Sequence, residues 1–467
     1  MRDETSGAMR DAMAGGGAHP HPPGTPASTR DLKRVLGFGS LMGIAVGQIV
    51  GAGIMSLMGV AIAMTGRSAA FSFMVAAALV VVTSLPQVIV CGTIRLRGGG
   101  YTQGVLLGGR IYGGVTMILG FLMNLSLAMY ALSFADYFAH FAPGAPPRLT
   151  AVAILTLFFL LNCVGIDWTA RIQNIIVVAM CAGLGLLAAF GIGEVRWDGF
   201  FGEGFMLGGF LALFQAGTLL TSATAGATAV VNLGAEAKNP TRDIPLVIIV
   251  ATSAVALLYG FIGFVAAGVL PLGEVAGKPL TGVAEAVLPK PLFVFFMVAG
   301  AMGALATTLN AQFSAVTKPM LQASIDGWLP KGLGRISRFK TPVAWLAILY
   351  AVGMVPILTG LDIGEVAGMV IAVSSVVGVA GNLLLVRLPK VVPDQWRKSR
   401  CRIPAWALWA VALLSSLTSL AQFFLIAPSL TPNLLALNLA AAAAVVGYCW
   451  WRVRSGKVEM EVSHEDG

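Results

Sequence analysis

A long uncharged stretch near the start of the chain restricts its folding more than any other feature. Residues 36–64 are apolar and carry no charge, and about 20 such residues are enough for a helix to cross a bilayer. Overall, 57% of the residues are hydrophobic, 11% are charged and the mean hydropathy is +0.84. This balance excludes an ordinary soluble domain. The sequence therefore predicts an all-α integral membrane protein, whose net charge of +9 belongs to loops at the membrane surface and not to a nucleic-acid interface.

Charged residues, prolines and glycines divide the chain into apolar runs that we interpret as twelve transmembrane helices. A membrane helix needs about 20 predominantly apolar residues, with a range of about 17 to 25. The runs cover residues 36–64, 68–92, 111–141, 149–165, 172–193, 204–234, 244–270, 291–316, 342–361, 366–386, 404–427 and 432–450.

The distribution of positive charge gives an independent test of this count. With the N-terminus inside, 22 of the 30 Lys and Arg residues fall on inner loops and span ends, 5 fall outside, and 3 lie in the N-terminal tail. Cytoplasmic loops carry such an excess. One span more or fewer would invert every later loop and remove the asymmetry. We therefore expect both termini in the cytoplasm and the twelve spans in the cell (inner) membrane.

The first span contains a candidate break. Gly39, Gly43, Gly47 and Gly51 recur at a spacing of four, which lets another helix approach closely. Gly53 follows only two residues later, and each glycine inside a helix costs about 1 kcal/mol relative to alanine. Unwound backbone at membrane depth is tolerated only where it faces protein or a watery cavity. A break at residues 51–53 therefore predicts a cavity that admits a solute.

The sixth span contains a matching feature. Residues 222–229 read Ser-Ala-Thr-Ala-Gly-Ala-Thr-Ala, a small and polar patch inside a bulky run, with Gly226 at its centre. The first and sixth spans hold equivalent places in two five-span halves, covering about residues 36–193 and 204–388. Paired interruptions of this kind indicate an inverted-repeat transporter with its site where the breaks meet. The alternative is that the small residues only pack helices together.

Four motifs carry a resemblance to a known family. They are residues 47–54 (Gly-Gln-Ile-Val-Gly-Ala-Gly-Ile), residues 98–101 (Gly-Gly-Gly-Tyr), residues 234–245, and residues 326–331 (Asp-Gly-Trp-Leu-Pro-Lys). In this order they resemble the amino acid-polyamine-organocation superfamily of permeases, over nearly all of the chain after residue 33. The resemblance implies a five-plus-five inverted repeat with discontinuous helices 1 and 6, two further helices over about residues 403–451, and alternating access around a site between the breaks.

The two breaks suggest how an amino acid or a related amine is held. The free backbone N–H groups that start the second half of the first span attract a carboxylate, and carbonyls at the sixth-span break suit an ammonium group. Asn124 on the third span is a tentative polar contact, although hydrogen bonding between helices is the alternative role for it and for Ser126 and Tyr130. The candidate substrate residues are Ile49, Val50, Gly51, Ala52, Gly53, Asn124, Ser222, Thr224, Gly226 and Ala227.

The coupling ion stays open between sodium, a proton and none. Sodium-independent members of the family often carry a lysine in the fifth span, and the matching residue here is Met180. Sodium-coupled relatives use paired hydroxyls on the eighth span, where this chain has Thr307 and Thr308. Such threonines also commonly bond back to their own helix. The expected activity is secondary active transport, with exchange or sodium-coupled symport as alternatives.

Other functions and the remaining segments give weaker signals. The contrasting hypothesis is an intramembrane enzyme or a channel. The sequence gives it no support, because it has no HExxH or GxSxG motif and no ring of charge. No cofactor or resident metal is expected. Residues 95–110 and 318–340 form inner loops that we interpret as scaffold or gate. We further expect a disordered cytoplasmic N-terminal tail over residues 1–33, a transporter domain over 34–453 and a cytoplasmic C-terminal tail over 454–467. We expect no nucleic-acid partner, and a monomer or homodimer in the bilayer.

Overall fold

The chain is described by a computed structural model at residues 34, 36–50, 53–96, 99–165, 170–234, 236–335, 337, 339, 341–458 and 464–465. The predicted N-terminal tail, residues 1–33, lies outside the described residues. So do Gly51 and Ala52, which stand at the centre of the predicted first-span break.

Helices make up most of the described chain. The α-helices are α1 (Phe38–Val50), α2 (Gly53–Thr65), α3 (Ala69–Thr93), α4 (Gly99–Leu122), α5 (Ser126–Phe138), α6 (Pro147–Val164), α7 (Ala170–Gly191), α8 (Gly209–Thr224), α9 (Pro240–Gly268), α10 (Leu272–Val275), α11 (Thr281–Val287), α12 (Lys290–Phe295), α13 (Gly303–Ile325), α14 (Val343–Thr359), α15 (Ile363–Leu383), α16 (Leu388–Val391), α17 (Pro393–Lys398), α18 (Ala405–Ile426) and α19 (Pro432–Arg454). A π-helix, Phe296–Met302, joins α12 to α13. The 3-10 segments are Gly66–Ser68, Met123–Leu125, Ile192–Glu194, Ala225–Leu233, Lys331–Gly334, Leu384–Arg387 and Ala427–Ser429.

The helices are those of a multi-pass membrane protein. In the described chain, 10 helical segments are long and apolar enough to cross a membrane. The first of them, Phe38–Thr93, extends over 56 residues, more than twice what one crossing requires. Val343–Thr359 is apolar but shorter, with 17 residues. The membrane class predicted from composition is therefore confirmed.

The outer surface is also that of a membrane protein. Large apolar side chains project outward from most of the long helices, among them Phe210 at 71% exposure, Leu358 at 70% and Trp406 at 75%. A soluble monomer rarely leaves a continuous apolar surface of this extent in water. Lipid tails satisfy such side chains, while the helices keep their backbone groups paired internally.

The interior is one continuous cluster of buried apolar side chains to which nearly all of the long helices contribute. Helix α3 packs along α8 and α9, where Phe73 and Tyr259 meet edge to face with ring centroids 5.2 Å apart. Helix α8 also packs against α2, and the 3-10 segment Ala225–Leu233 packs against α1. Helix α15 packs along α18. The elements that carry the two predicted breaks are therefore neighbours.

Short strand contacts connect the ends of the chain to loops between helices. Strand β1 (Arg95–Leu96) pairs antiparallel with β2 (His464–Glu465). Near the N-terminus, the Leu36 N–H donates to the Glu236 carbonyl at 3.0 Å, and the Lys238 N–H donates to the Leu36 carbonyl at 2.8 Å. Both terminal segments are thereby anchored on the side of the molecule that holds the α3–α4 loop.

The third span differs most from its predicted bounds. The sequence places its start at residue 111, yet α4 begins at Gly99. The helix bends at Gly109, whose φ of 79° and ψ of 179° are not helical and suit a residue without a side chain. Residues 99–108 of the predicted inner loop are therefore helical and lead through the bend into the third span. At the second inner loop, α13 ends at Ile325 and Gly327 follows with a φ of +82°, a conformation that commonly ends a helix.

Candidate functional site

The described residues on both sides of the first predicted break are helical. Helix α1 covers Phe38–Val50 and α2 covers Gly53–Thr65. Gly51 and Ala52 between them are not described, so the break itself stays a prediction. The buried Tyr259 hydroxyl of α9 donates to the Ile49 carbonyl at 2.9 Å. Tyr259 thus caps this carbonyl and joins α1 to α9.

The second predicted break coincides with a change of helix type. Helix α8 ends at Thr224, and the chain continues as a 3-10 helix through Ala225–Leu233. Nine residues is long for a 3-10 helix, and such a stretch within a helix often marks a hinge or strain. Before the change, the hydroxyls of Ser222 and Thr224 donate to carbonyls of their own helix, at Leu219 and Leu220.

The two interrupted helices meet through their backbones. A methyl group added at Gly226 would lie 2.5 Å from the Gln48 carbonyl oxygen and 2.7 Å from the Ile49 nitrogen. A methyl group added at Gly53 would overlap the Ala223 backbone. Only glycine permits both approaches, because any side chain would push the backbones apart. The predicted meeting of the first and sixth spans is therefore a direct contact between peptide groups.

A cavity of about 770 Å³ opens beside this contact. It is enclosed by α1, α3, α4, α5, α8 with its 3-10 extension, α13, α15 and α18. No described residue that lines it carries a charged side chain. Its polar lining consists of amides and hydroxyls, contributed by Gln48, Thr83, Gln87, Tyr101, Thr116, Ser126, Tyr130, Thr221, Ser222, Thr228, Asn232, Thr308, Gln312, Ser374, Ser375, Asn382, Ser419 and Gln422.

Some of the predicted substrate residues that the structure describes line the cavity, and the others do not. Ser222 and Gly226 line the cavity. The side chains of Ile49, Val50, Thr224 and Ala227, together with Gly53, are buried between helices and do not line it. Asn124 lies in the 3-10 turn Met123–Leu125, where its amide nitrogen donates to the Gly120 and Phe121 carbonyls, and it does not line the cavity. Gly51 and Ala52 are not described, so their part in the site stays a prediction.

The predicted cation residues are also separated. The Thr307 hydroxyl donates to the Gly303 and Ala304 carbonyls, and the Thr308 hydroxyl donates to Ala304, so both bond back to α13. Of the two, Thr308 faces the cavity, where its oxygen lone pairs can still accept a proton or contact a cation. Met180 on α7 is fully buried and apolar, and it supplies no ammonium group.

Several cavity residues escaped the sequence analysis. Gln48, Gln87, Gln312 and Gln422 are amides within predicted spans, and Asn382 is another. Polar residues inside membrane segments are costly and often functional, so their presence in apolar runs was the available signal. The spacing of glycines drew attention to the breaks, whereas the glutamines lie on four different helices that only the fold brings together.

One end of the cavity is bounded by a side-chain network. Tyr101, which lines the cavity, donates its hydroxyl proton to the Asp326 carboxylate at 2.6 Å and accepts a hydrogen bond from the Trp328 indole at 3.0 Å. Trp328 is fully buried, and its carbonyl accepts from the Tyr448 hydroxyl at 2.6 Å. This cluster connects α4, the residues after α13, and α19. It joins the two loops that the sequence analysis interpreted as scaffold or gate.

The connection between α9 and α12 packs against α2 and α5. The Gly277 N–H donates to the Gly59 carbonyl of α2 at 2.8 Å. The buried Tyr137 hydroxyl accepts from the Leu280 N–H at 3.2 Å and contacts the Met55 carbonyl at 3.3 Å. Backbone hydrogen bonds thus seal α10 and α11 against the second half of the interrupted first span.

These features, a helical bundle with an apolar exterior and a polar, uncharged cavity beside the two helices that carry the predicted breaks, define a membrane transporter. The chain belongs to the amino acid permease family, whose profile matches residues 36–449. This confirms the superfamily resemblance read from the sequence. The family and its relatives are transporters of amino acids and of other solutes.

Three relatives illustrate the range of this similarity. The chain is 26% identical to the branched-chain amino acid permease BcaP of Bacillus subtilis, over 80% of this chain and 84% of the relative. It is 24% identical to the methylthioribose transporter of the same organism, over 81% and 86% of the two chains. It is also 26% identical to the chloroplastic cationic amino acid transporter 9 of Arabidopsis thaliana, over 68% of this chain and 60% of that protein.

Proposed function

We propose that this permease carries an amino acid or a related amine by alternating access around the contact between α1 and the 3-10 segment Ala225–Leu233. The observation that carries the proposal is the backbone contact of Gly226 with Gln48 and Ile49, at the edge of a polar cavity. Interrupted helices that meet near mid-membrane are typical of transporter binding sites.

The helix ends supply the binding chemistry. If the first span is interrupted at residues 51–53 as the sequence predicts, its second half starts with free N–H groups, and a helix N-terminus favours an anion such as the substrate carboxylate. The carboxyl ends of α1 and α8 present carbonyls of the opposite polarity, which suit an ammonium group. A charged side chain at the bilayer centre costs about 2.5 to 3.5 kcal/mol on insertion scales. Using peptide groups instead avoids that cost, in keeping with the uncharged lining of the cavity among the described residues.

The proposed topology has twelve crossings. Of the ten candidate segments, Phe38–Thr93 is long enough for two crossings and the other nine supply one each. The shorter apolar helix Val343–Thr359 supplies the twelfth, so each run predicted from the sequence then has a helix. We propose a five-plus-five inverted repeat followed by α18 and α19. We also propose that the protein lies in the cell (inner) membrane with both termini in the cytoplasm. The excess of Lys and Arg on the inner loops supports this orientation.

Coupling is proposed only in outline. Thr308 is the cavity hydroxyl best placed for a sodium ion, because its oxygen is of the kind that hard cations prefer. Exchange and proton-linked uptake are the alternatives. We propose a monomer or a homodimer as the working unit.

The test is uptake into proteoliposomes that contain the purified full-length protein. Labelled amino acids of acidic, basic, apolar and neutral polar classes are offered with and without a sodium gradient. We expect saturable uptake of at least one class and counterflow when unlabelled substrate is preloaded. Non-saturating flux, or no uptake of any class by protein that elutes as a folded species, would overturn the proposal. Dependence on the sodium gradient separates symport from exchange.

A further inference from the structure

Part of the cavity lining consists of polar side chains from helices other than the two that carry the predicted breaks. This region, the polar arm, is formed by Thr83 and Gln87 of α3, Asn382 of α15, and Ser419 and Gln422 of α18. A smaller cavity of about 190 Å³ shares Thr83, Gln87 and Asn382 and extends the arm to Gln103 of α4. None of these side chains belongs to the two interrupted helices.

The fold fixes the back wall of the arm. The Asn382 amide nitrogen donates to the Ser419 hydroxyl at 3.1 Å, which joins α15 to α18. A methyl group added at Gly378 would lie 3.1 Å from the same hydroxyl oxygen, so the glycine lets these helices come together. Asn382 and Ser419 are both buried. The arm is therefore a built feature of the core and not a gap at the surface.

Several polar groups of the arm have no protein partner. Gln87 and Gln422 make no hydrogen bond within the described part of the chain, and Gln422 is only 7% exposed. The Gln103 side-chain oxygen is fully buried and likewise lacks a partner among the described residues. Buried amides are nearly always hydrogen-bonded, because an unpaired polar group in a low-dielectric interior is costly. These amides are thus available to a ligand.

The chemistry of the arm selects one class of ligand group. A carboxamide both donates and accepts, so it matches another amide or a hydroxyl. It offers no full charge to an ammonium or carboxylate, and no described residue of either cavity carries one. An aliphatic group would cover the amides without pairing with them. A site that hydrogen-bonds its substrate discriminates strongly against an analogue that cannot bond.

We propose that the polar arm binds the side chain of the substrate and makes this permease selective for a neutral amino acid whose side chain ends in an amide or a hydroxyl. This inference rests on the proposed carrier function, and it assigns the substrate's main-chain atoms to the helix breaks and its side chain to the arm. Gln87 and Gln422 are the residues that determine specificity.

The test compares glutamine with leucine, which are similar in size and differ in hydrogen bonding. Initial uptake of both labelled amino acids is measured in proteoliposomes that contain the full-length protein. For the unmodified protein we expect a higher kcat/KM for glutamine than for leucine, and stronger inhibition of glutamine uptake by unlabelled asparagine or serine than by lysine or glutamate. This part needs no variant.

The variants Gln87→Leu and Gln422→Leu then test the arm directly. Because neither side chain has a protein partner in the described chain, each substitution removes a hydrogen bond to substrate without breaking one in the fold. Each should lower the glutamine-to-leucine ratio of kcat/KM about threefold to tenfold, the value of one neutral hydrogen bond. Ser416→Ala is the matched control on α18, since its hydroxyl donates to the Val379 carbonyl and does not line either cavity.

The outcomes separate this inference from the proposed function. If leucine, lysine or glutamate is the preferred substrate of the unmodified protein, or if both variants transport with an unchanged ratio, the arm does not set specificity although the carrier function stands. If no amino acid of any class is taken up, the carrier function itself is wrong.

Discussion

Single residues decide how closely the two interrupted helices approach each other. Gly226 and Gly53 lie against backbone atoms of the partner element, and Tyr259 caps a carbonyl at the end of α1. Each contact involves main-chain atoms, which cannot move aside as a flexible side chain can. Small changes at these positions should therefore affect the site more than equal changes elsewhere in the bundle.

Replacing Gly226 with leucine tests the contact between the two helices. The new side chain would overlap Gln48 and Ile49 of α1, and overpacking of this kind typically costs about 1 to 3 kcal/mol. We expect uptake to fall at least about tenfold while the protein still inserts and purifies. Gly447→Leu on the exposed face of α19 is the control, because an added methyl group there meets nothing within 4 Å. Normal uptake by the Gly226 variant would contradict the proposed site.

Replacing Tyr259 with phenylalanine tests the cap on α1. The variant keeps the ring packed on Phe73 but leaves the Ile49 carbonyl without its donor. A buried acceptor that loses its partner costs about 1 to 3 kcal/mol, so thermal unfolding in detergent should begin at a lower temperature and uptake should weaken. Tyr350→Phe is the comparison, since that hydroxyl pairs with the half-buried Thr156 hydroxyl. Equal effects at both positions would argue against a special role for the cap.

At the scale of elements, the sequence predicted the type of each helix well and its packing only in part. Uncharged runs gave the helices, since a bilayer forces apolar backbone into that form. Glycine content also pointed to the stretch around Gly226, where the helix changes from α to 3-10, while the predicted break at residues 51–53 stays a prediction. No comparable local pattern in the sequence indicated the polar arm. Gln87, Asn382 and Gln422 are far apart in the chain and come to line one cavity only through the packing of α3, α15 and α18.

The cluster of Tyr101, Asp326 and Trp328 gives a prediction at this scale. Tyr101→Phe removes a hydrogen bond to a carboxylate, worth about 1.5 to 3 kcal/mol, and also the acceptor for the Trp328 indole. Tyr112→Phe removes only a neutral bond to the Val377 carbonyl. We expect the Tyr101 variant to lose more thermal stability than the Tyr112 variant. The reverse order would show that the cluster does not hold the inner loops together.

At the scale of the whole molecule, the apolar exterior and the charge asymmetry of the loops both concern the placement of the protein in a membrane. The exterior shows that a membrane surrounds the bundle, and the distribution of Lys and Arg supports the proposed orientation. Membrane insertion could be predicted from composition alone, because hydrophobicity sums over many residues. The shape of the cavity could not, because it depends on contacts between helices that are distant in sequence.

Labelling of single cysteines tests the orientation. In a background with the five native cysteines replaced, Lys278→Cys and Lys398→Cys each place a thiol at an exposed position between proposed membrane spans. The proposed topology puts position 278 outside and 398 inside. A membrane-impermeant maleimide added to intact cells should modify the first and should reach the second only after permeabilisation. Labelling of both from outside, or of position 398 alone, would contradict twelve crossings with cytoplasmic termini.

The 3-10 segment Ala225–Leu233 has a mechanical consequence. A 3-10 helix rises about 2.0 Å per residue and an α-helix about 1.5 Å, so rewinding these nine residues would shorten the segment by about 4 Å. Asn232, whose side chain accepts from the Gly100 N–H at 3.2 Å, would be drawn along with it and would pull on the start of α4. A change of helix pitch beside the substrate would thereby displace the start of α4, which lines the cavity.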